Sequence, residues 1–190
     1  MKNIVKNLAL VTLVTFITLS FTTIEKKEIK LNKSKVVWKG YKVTGSHEGS
    51  ISLKSGLLEF KNGKLTGGQF VIDMNTIICT DLTGEYKGKL EGHLKSDDFF
   101  GVEAFPTANL IFTSVKATGK NSYEVKGNLT IKGKTNQITF IISIYGNKAT
   151  ATVKIDRTKY DIRYGSTSFF ENLQDKAIYD EFDLVADLEF

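Results

Sequence analysis

The chain has 190 residues, with 26 Lys and Arg against 21 Asp and Glu, for a formal net charge of +5. Lys2 and Lys6 belong to an N-terminal segment laid out like a secretory leader; without them 24 basic residues face 21 acidic ones, a formal +3 that is too weak to argue for nucleic acid. The single cysteine, Cys79, excludes an internal disulfide, so stability must come from packing, with Cys79 expected as a small buried hydrophobe.

The leader reads as a basic start, an apolar run from Leu8 to Phe21 and the small polar pair Thr22 and Thr23. A membrane-spanning helix needs roughly 20 apolar residues. This run is shorter, is diluted by Thr12, Thr15 and Thr18, and has Glu25 close behind it. No cysteine follows it to carry a lipid anchor. The expectation is a signal peptide over 1–23 and one soluble domain over 24–190, a size at which a single core suffices.

From residue 35 onward, apolar and polar side chains alternate at period two between Gly and Asn punctuation, the pattern of half-buried strands. Val36 to Val43 opens the series, and Ile51 to Phe60 follows with an expected break at Gly56. Asn62-Gly63 marks a tight hairpin, because both positions accept positive φ. Lys64 to Met74 is the return strand, in which Gly67-Gly68 reads as a bulge or a barrel bend. The period then changes. Leu82, Tyr86, Leu90 and Leu94 recur every four residues, which predicts a helix with these four along one side. Gly84, Gly88 and Gly92 weaken it, each by roughly 1 kcal/mol against alanine, so the segment is expected to survive as a lid packed on something larger. Ser96 is placed as the N-cap of a short turn through Asp97 and Asp98, and Pro106 ends the insertion.

Four more strands are expected at Ala108 to Val115, Tyr123 to Ile131, Gln137 to Tyr145 and Lys148 to Ile155. A polar loop from Asp156 to Asp175 leads to a last strand in which Phe182, Leu184, Ala186, Leu188 and Phe190 alternate with polar neighbours. About eight strands, with no repeat and no linker, point to an all-β, single antiparallel eight-stranded lipocalin-like barrel with a short helical lid insertion. Closure removes exposed strand edges, although alternation alone does not separate a barrel from a sandwich.

Chemistry is sparse. The two histidines, His47 and His93, are 46 residues apart in sequence and sit in no metal-ligand spacing, so no metal is expected. No nucleophile elbow is present, and Ser46 beside His47 points to the opposite face of a strand. His93 is expected to pin the lid by an ordinary hydrogen bond. Thirteen phenylalanines dominate, with Phe70, Phe99, Phe100, Phe112, Phe140, Phe169, Phe170 and Phe182 placed for a barrel interior or its mouth. Arg157 and Arg163 stand near Asp156, Asp161, Tyr160 and Tyr164. Either the aspartates tie up the arginines in a structural network, or one arginine faces the mouth and holds a polar head group two-pronged.

Together the stretches WKGYKVTGSHEG, LTGGQFVIDMNTI, GHLKSDDFFGVEAFPTA, GNLTIKGKT and IDRTKYDIRYGS make residues 30–190 similar to the YceI-like family of bacterial periplasmic proteins. The resemblance implies an extended lipocalin-type barrel that binds polyisoprenoid chains or isoprenoid quinones, without catalysis, in the envelope of a Gram-negative bacterium. It places His93, Ser96, Asp98, Phe99 and Phe100 on the family's lid signature, and Arg157 and Tyr160 on a late Arg-aromatic signature. Where many members have Gly before Asp-Lys near the C-terminus, this chain has Gln174.

The resulting expectation is a periplasmic or secreted lipid carrier or scavenger with no cofactor beyond its bound isoprenoid lipid or quinone. The tail lies among Phe70, Ile72, Phe112, Leu129, Phe140 and Phe182, and the head emerges near Arg157. Partners are the lipid and, transiently, a membrane, with the oligomeric state open between monomer and homodimer. Two alternatives stand beside it: an enzyme acting on an isoprenoid with His93 as acid or base, and a packed barrel serving as an interaction module.

Overall fold

The computed structural model describes residues 23–190. The expected leader, apart from Thr23, lies outside the described residues. Nine strand segments form one antiparallel sheet: β1 Glu25–Glu28, β2 Lys35–Lys42, β3 Gly45–Lys61, β4 Lys64–Cys79, β5 Thr107–Ala117, β6 Ser122–Ile131, β7 Lys134–Tyr145, β8 Lys148–Asp156 and β9 Ile178–Glu189. Among the described residues a single α-helix, α1 Gly84–Lys95, interrupts the meander between β4 and β5.

The sheet closes on itself because β2 pairs with both β3 and β9. β1 adds no ninth stave. It pairs with the far half of β3, Glu28 opposite Leu57, while β2 pairs with the near half, Val36 opposite Ile51. Lys30 N donates to Glu189 O on β9, so β1 and β2 fill one position, broken by a 3₁₀ turn at Leu31–Lys33. The described residues form an eight-stranded antiparallel closed barrel with one short helix.

Tight hairpins set the register. Asn62 and Gly63 carry φ of 51° and 72° between β3 and β4, and Lys132 and Gly133 carry 48° and 72° between β6 and β7, the two-residue geometry that matches strand twist. The expected break at Gly56 does not occur: β3 runs through it, and the irregularity is a set of register shifts against β4 at Ser50/Ser52, Leu53/Ser55 and Glu59/Phe60. The last of these sits beside Gly67, where a bend was expected. Such bulges curve the longest strands around the barrel while leaving both faces assigned.

The alternation of connections gives the barrel two ends. The lid insertion, the β6–β7 hairpin and the long β8–β9 loop share the mouth. The β2–β3 turn joins them there, and the hairpins at Asn62-Gly63, between β5 and β6 and around Gly146 mark the far end. Toward that end Leu58, Val125, Ile142 and Ala149 are sealed from solvent, and each large aliphatic side chain removed from water there stabilises the fold by about 1.5–3 kcal/mol.

Candidate functional site

Two insertions build the mouth. The first is α1 with the turns that follow it. Its N-cap, Thr83, makes no side-chain cap, and a Cβ added at Gly88 or Gly92 would meet nothing within 4 Å, so no packing need explains these glycines. The helix is held by its inner face, where Leu94 is buried and Leu90 half-buried against the core. Tyr86, expected on that face, is 75% exposed: steps of four residues advance 400° and drift 40° per turn, which carries Tyr86 out of the stripe. Ser96 holds two positions: it ends α1, its hydroxyl donating to His93 O at 2.8 Å, and it opens the next turn as expected, its carbonyl accepting from Phe99 N and Gly101 N, although its side chain supplies no cap there. That turn buries Phe99, Phe100 and Val102 over the barrel, and Lys132 Nζ donates to Asp97 O at 2.6 Å, tying it to the β6–β7 hairpin.

The second insertion is the β8–β9 loop, organised by Arg157. Only 2% of this residue is exposed, yet its guanidinium is well served: Nε donates to Tyr179 O at 3.0 Å, and the two terminal nitrogens to Ile162 O at 2.8 Å and Ile178 O at 2.9 Å. Asp180 lies 3.6 Å away. Burial pulls the guanidinium pKa below its ordinary value, opposed by the charges of Asp180 and Asp156. The expected aspartate–arginine network therefore forms only in part, and the fork of Arg157 takes other partners. Asp156 caps Thr158, Asp161 pairs with Arg163 at 2.7 Å, and the fork of Arg157 is spent on main-chain carbonyls rather than held open for a head group.

Between lid and barrel lies a cavity of about 290 Å³. Its walls are the mouth-side rungs of the strands, including Val36, Trp38, Ile51, Met74, Ile155 and Leu184, and its roof is Leu90, Leu94, Phe99 and Phe100. Polar groups are few: Tyr41, Lys42, His47, His93, Arg157 and Tyr179 stand around an otherwise apolar surface. Such a balance suits an apolar ligand body with one polar end.

Of the residues singled out from sequence, Ile72, His93, Phe99, Phe100, Leu129, Arg157 and Phe182 come together on this cavity. Phe70, Phe112 and Phe140 do not. Their rings pack on one another, Phe70 to Phe112 at 5.7 Å and Phe112 to Phe140 at 5.8 Å, in the layer beneath the cavity. Tyr160 is also away from it, 1% exposed in the core with its hydroxyl unpartnered among the described residues and its pKa pushed up to about 12 by burial, then by Asp156. Phe169 and Phe170 stay about half exposed on the β8–β9 loop. Sequence reasoning missed Trp38, whose signal was present in the alternation Val36, Trp38, Gly40; its indole donates to Ile78 O at 3.1 Å.

His93 does not pin the lid through a hydrogen bond. Its Nε2 is buried without a partner among the described residues, and its ring packs edge-on against Tyr164 at 4.3 Å and Phe99 at 5.5 Å. Nor is Cys79 a plain hydrophobe: fully buried, it donates through Sγ to Asp81 Oδ1 at 2.9 Å, and Asp81 Oδ2 meets His47 Nδ1 at 3.1 Å. Burial and that bond to Asp81 push the thiol pKa up. Among the described residues no three His, Cys, Asp or Glu side chains are grouped to hold a metal ion.

A closed antiparallel barrel, roofed by a helical insertion over an apolar cavity, defines a lipocalin-like architecture. The chain belongs to the YceI-like domain family, whose model matches residues 28–190. A UPF0312 protein of Pseudomonas putida is 41% identical over 54 residues, covering 28% of each chain, so the match spans just over a quarter of that relative's length. A UPF0312 protein of Staphylococcus aureus is 29% identical over 135 residues, 65% of this chain and 71% of that one. Among solved structures, Burkholderia cenocepacia BcnA superposes with a TM-score of 0.66 at 23% identity, over 84% of this chain and 98% of that one. A polyisoprenoid binding domain from Saccharophagus degradans gives 0.59 at 12% identity, over 87% and 97%. At these identities the likeness shows the shared barrel.

Proposed function

We propose that this protein binds an isoprenoid lipid, a polyisoprenoid or an isoprenoid quinone, with the tail in the cavity under the lid, and serves as a carrier or scavenger in the bacterial envelope. The observation that carries this reading is the cavity itself: a largely apolar pocket of about 290 Å³ between the lid and the mouth-side rungs of the barrel. An apolar tail entering it gains about 0.8 kcal/mol per methylene buried, enough for tight binding without a single polar contact. Membership of the family and the name of the Saccharophagus degradans domain support an isoprenoid as the ligand. The envelope location rests on the leader-like sequence of residues 1–23.

The polar end of the ligand meets His93 rather than Arg157. The His93 Nε2 has no hydrogen-bond partner among the described residues and stands at the cavity, whereas Arg157 is committed to carbonyls. The same geometry argues against catalysis, because acid–base work by His93 calls for a partner that orients the ring, and the ring packs edge-on against Phe99 and Tyr164. A fully packed interaction module is at odds with the cavity.

Native mass spectrometry of protein purified from its own envelope, followed by organic extraction, tests the proposal. One isoprenoid lipid per chain is the expected result. Protein that emerges without lipid and takes up no added isoprenoid overturns it.

A further inference from the structure

The interior of this barrel is only half hollow, and the boundary is built. On the mouth side, Ile72, Ala108, Leu129, Ile155 and Leu184 line open space. One layer deeper, Phe70, Phe112 and Phe140, from the staves β4, β5 and β7, form a chain of rings with centroids 5.7 and 5.8 Å apart, in tilted and edge-on contact. None of the three lines the cavity. The strands make room for two of these rings by omitting side chains. A Cβ at Gly68 would stand 2.8 Å from Phe112 Cε2, and one at Gly56 would stand 2.8 Å from Phe70 Cδ1, both closer than real carbon atoms approach. The rings therefore sit in notches cut into β3 and β4, which hinders them from swinging aside. Beneath them Leu58, Val125, Ile142 and Ala149 are 2% exposed or less, and none of the four lines the cavity.

The space above this layer has a definite capacity. An apolar cavity of about 150 Å³ takes up one benzene, six carbons, so by the same measure one of about 290 Å³ accommodates about twelve. That is two to three five-carbon units.

We propose that the Phe70–Phe112–Phe140 layer is a floor that sets ligand length, limiting the enclosed tail to two or three isoprene units and making Phe112 a specificity-determining residue. The identity of the tail rests on the proposed isoprenoid reading; the floor itself is a property of the cavity and acts on any apolar chain. Short isoprenoids fit wholly inside, and a longer tail leaves its remainder outside the lid.

Trp38, the single tryptophan, lines the cavity and reports occupancy by its fluorescence. The test is a titration of the full domain with geraniol, farnesol, geranylgeraniol and a longer polyprenol, alongside straight-chain alcohols of matching carbon number. Affinity is expected to rise at least tenfold from geraniol to farnesol and by less than about threefold beyond, since added carbons stay in water. In Phe112→Ala the lost ring opens room for about one more unit, and geranylgeraniol gains at least about fivefold over farnesol. Should that variant fail to fold, Phe112→Leu extends the profile by a smaller step, and Ala108→Leu, which fills the cavity from the mouth side, shortens it. A wild-type affinity that climbs with every added unit overturns the floor, as does a folded Phe112 variant with an unchanged profile. A break near twelve carbons for straight-chain alcohols, with no isoprenoid bound, upholds the floor and overturns the isoprenoid reading instead. Absence of binding in both series overturns both.

Discussion

Arg157 lies beneath the ring of Phe99, its guanidinium carbon 5.5 Å from the ring centroid, so the residue that gathers the β8–β9 loop also supports the lid. Three main-chain carbonyls, of Ile162, Ile178 and Tyr179, converge on it inside the fold. Arg157→Ala leaves one buried acceptor, Ile162 O, and two part-buried ones without their donor and is expected to cost about 2–4 kcal/mol. Arg157→Lys keeps the charge but not the planar fork, and is expected to cost about 2 kcal/mol. Chemical denaturation measures both. Losses below about 1 kcal/mol in the two variants would show that water satisfies the carbonyls in place of the guanidinium.

His93→Phe separates packing from hydrogen bonding at the roof of the cavity. The substitution preserves an aromatic ring against Tyr164 and Phe99 while removing the unpartnered Nε2. Stability should hold or rise by up to about 1 kcal/mol, because a buried polar atom without a partner opposes folding. Affinity for farnesol should fall about three- to tenfold, the worth of one hydrogen bond, while the corresponding saturated hydrocarbon binds as before. An equal loss for both ligands would place the hydroxyl elsewhere.

How far the sequence reveals this site depends on which physical signal each residue carries. Period-two alternation identifies the inward face of a strand, and it correctly groups Phe70 with Ile72 and Met74 on β4. It says nothing of depth along the barrel, which decides that Ile72 lines the cavity and Phe70 does not. Depth is fixed by notches at Gly56 and Gly68, on strands distant in sequence from Phe112 and Phe140. Arg157 is illegible for a different reason. Nearby aspartates suggested ion pairs, but its partners are carbonyl oxygens, which every residue possesses and no sequence pattern marks. The departure at Gln174 was legible: this residue takes φ of 50°, a left-handed conformation that glycine adopts at less cost. The β1–β2 interruption was invisible, because Ile29 to Ser34 carries neither period.

The glycines of α1 make the lid a tunable element. Gly88 and Gly92 face open space, so alanine at either position meets no neighbour and gains about 1 kcal/mol of helix propensity. The double variant Gly88→Ala, Gly92→Ala should slow hydrogen exchange in α1 several-fold and slow the release of a bound isoprenoid, with equilibrium unfolding raised by about 2 kcal/mol at most. Stopped-flow displacement monitored at Trp38 measures the release rate. Unchanged release with slower exchange would mean that ligand leaves past the β8–β9 loop rather than under the helix.

Acid sensitivity should concentrate at Asp81. Burial pushes its carboxyl pKa up, but the hydrogen bonds from Cys79 and His47, helped by the backbone of Glu48 and the charge of His47, outweigh that and hold it below the ordinary value of 3.8. A carboxylate whose pKa is lowered on folding stabilises the native state fully above its unfolded pKa and loses that contribution as pH falls through the lower folded value. Asp81→Asn should therefore lower stability by about 1 kcal/mol at pH 7, a figure reduced for partial exposure of the His47–Asp81 pair. The gap between variant and wild type should then close as pH falls below 3.8 and through the lowered folded value, where the wild-type carboxyl becomes neutral as well. Melting temperatures across that range decide the matter: a gap of constant size would assign the loss to the shape of the amide in the Cys79–Asp81–His47 chain rather than to the missing charge.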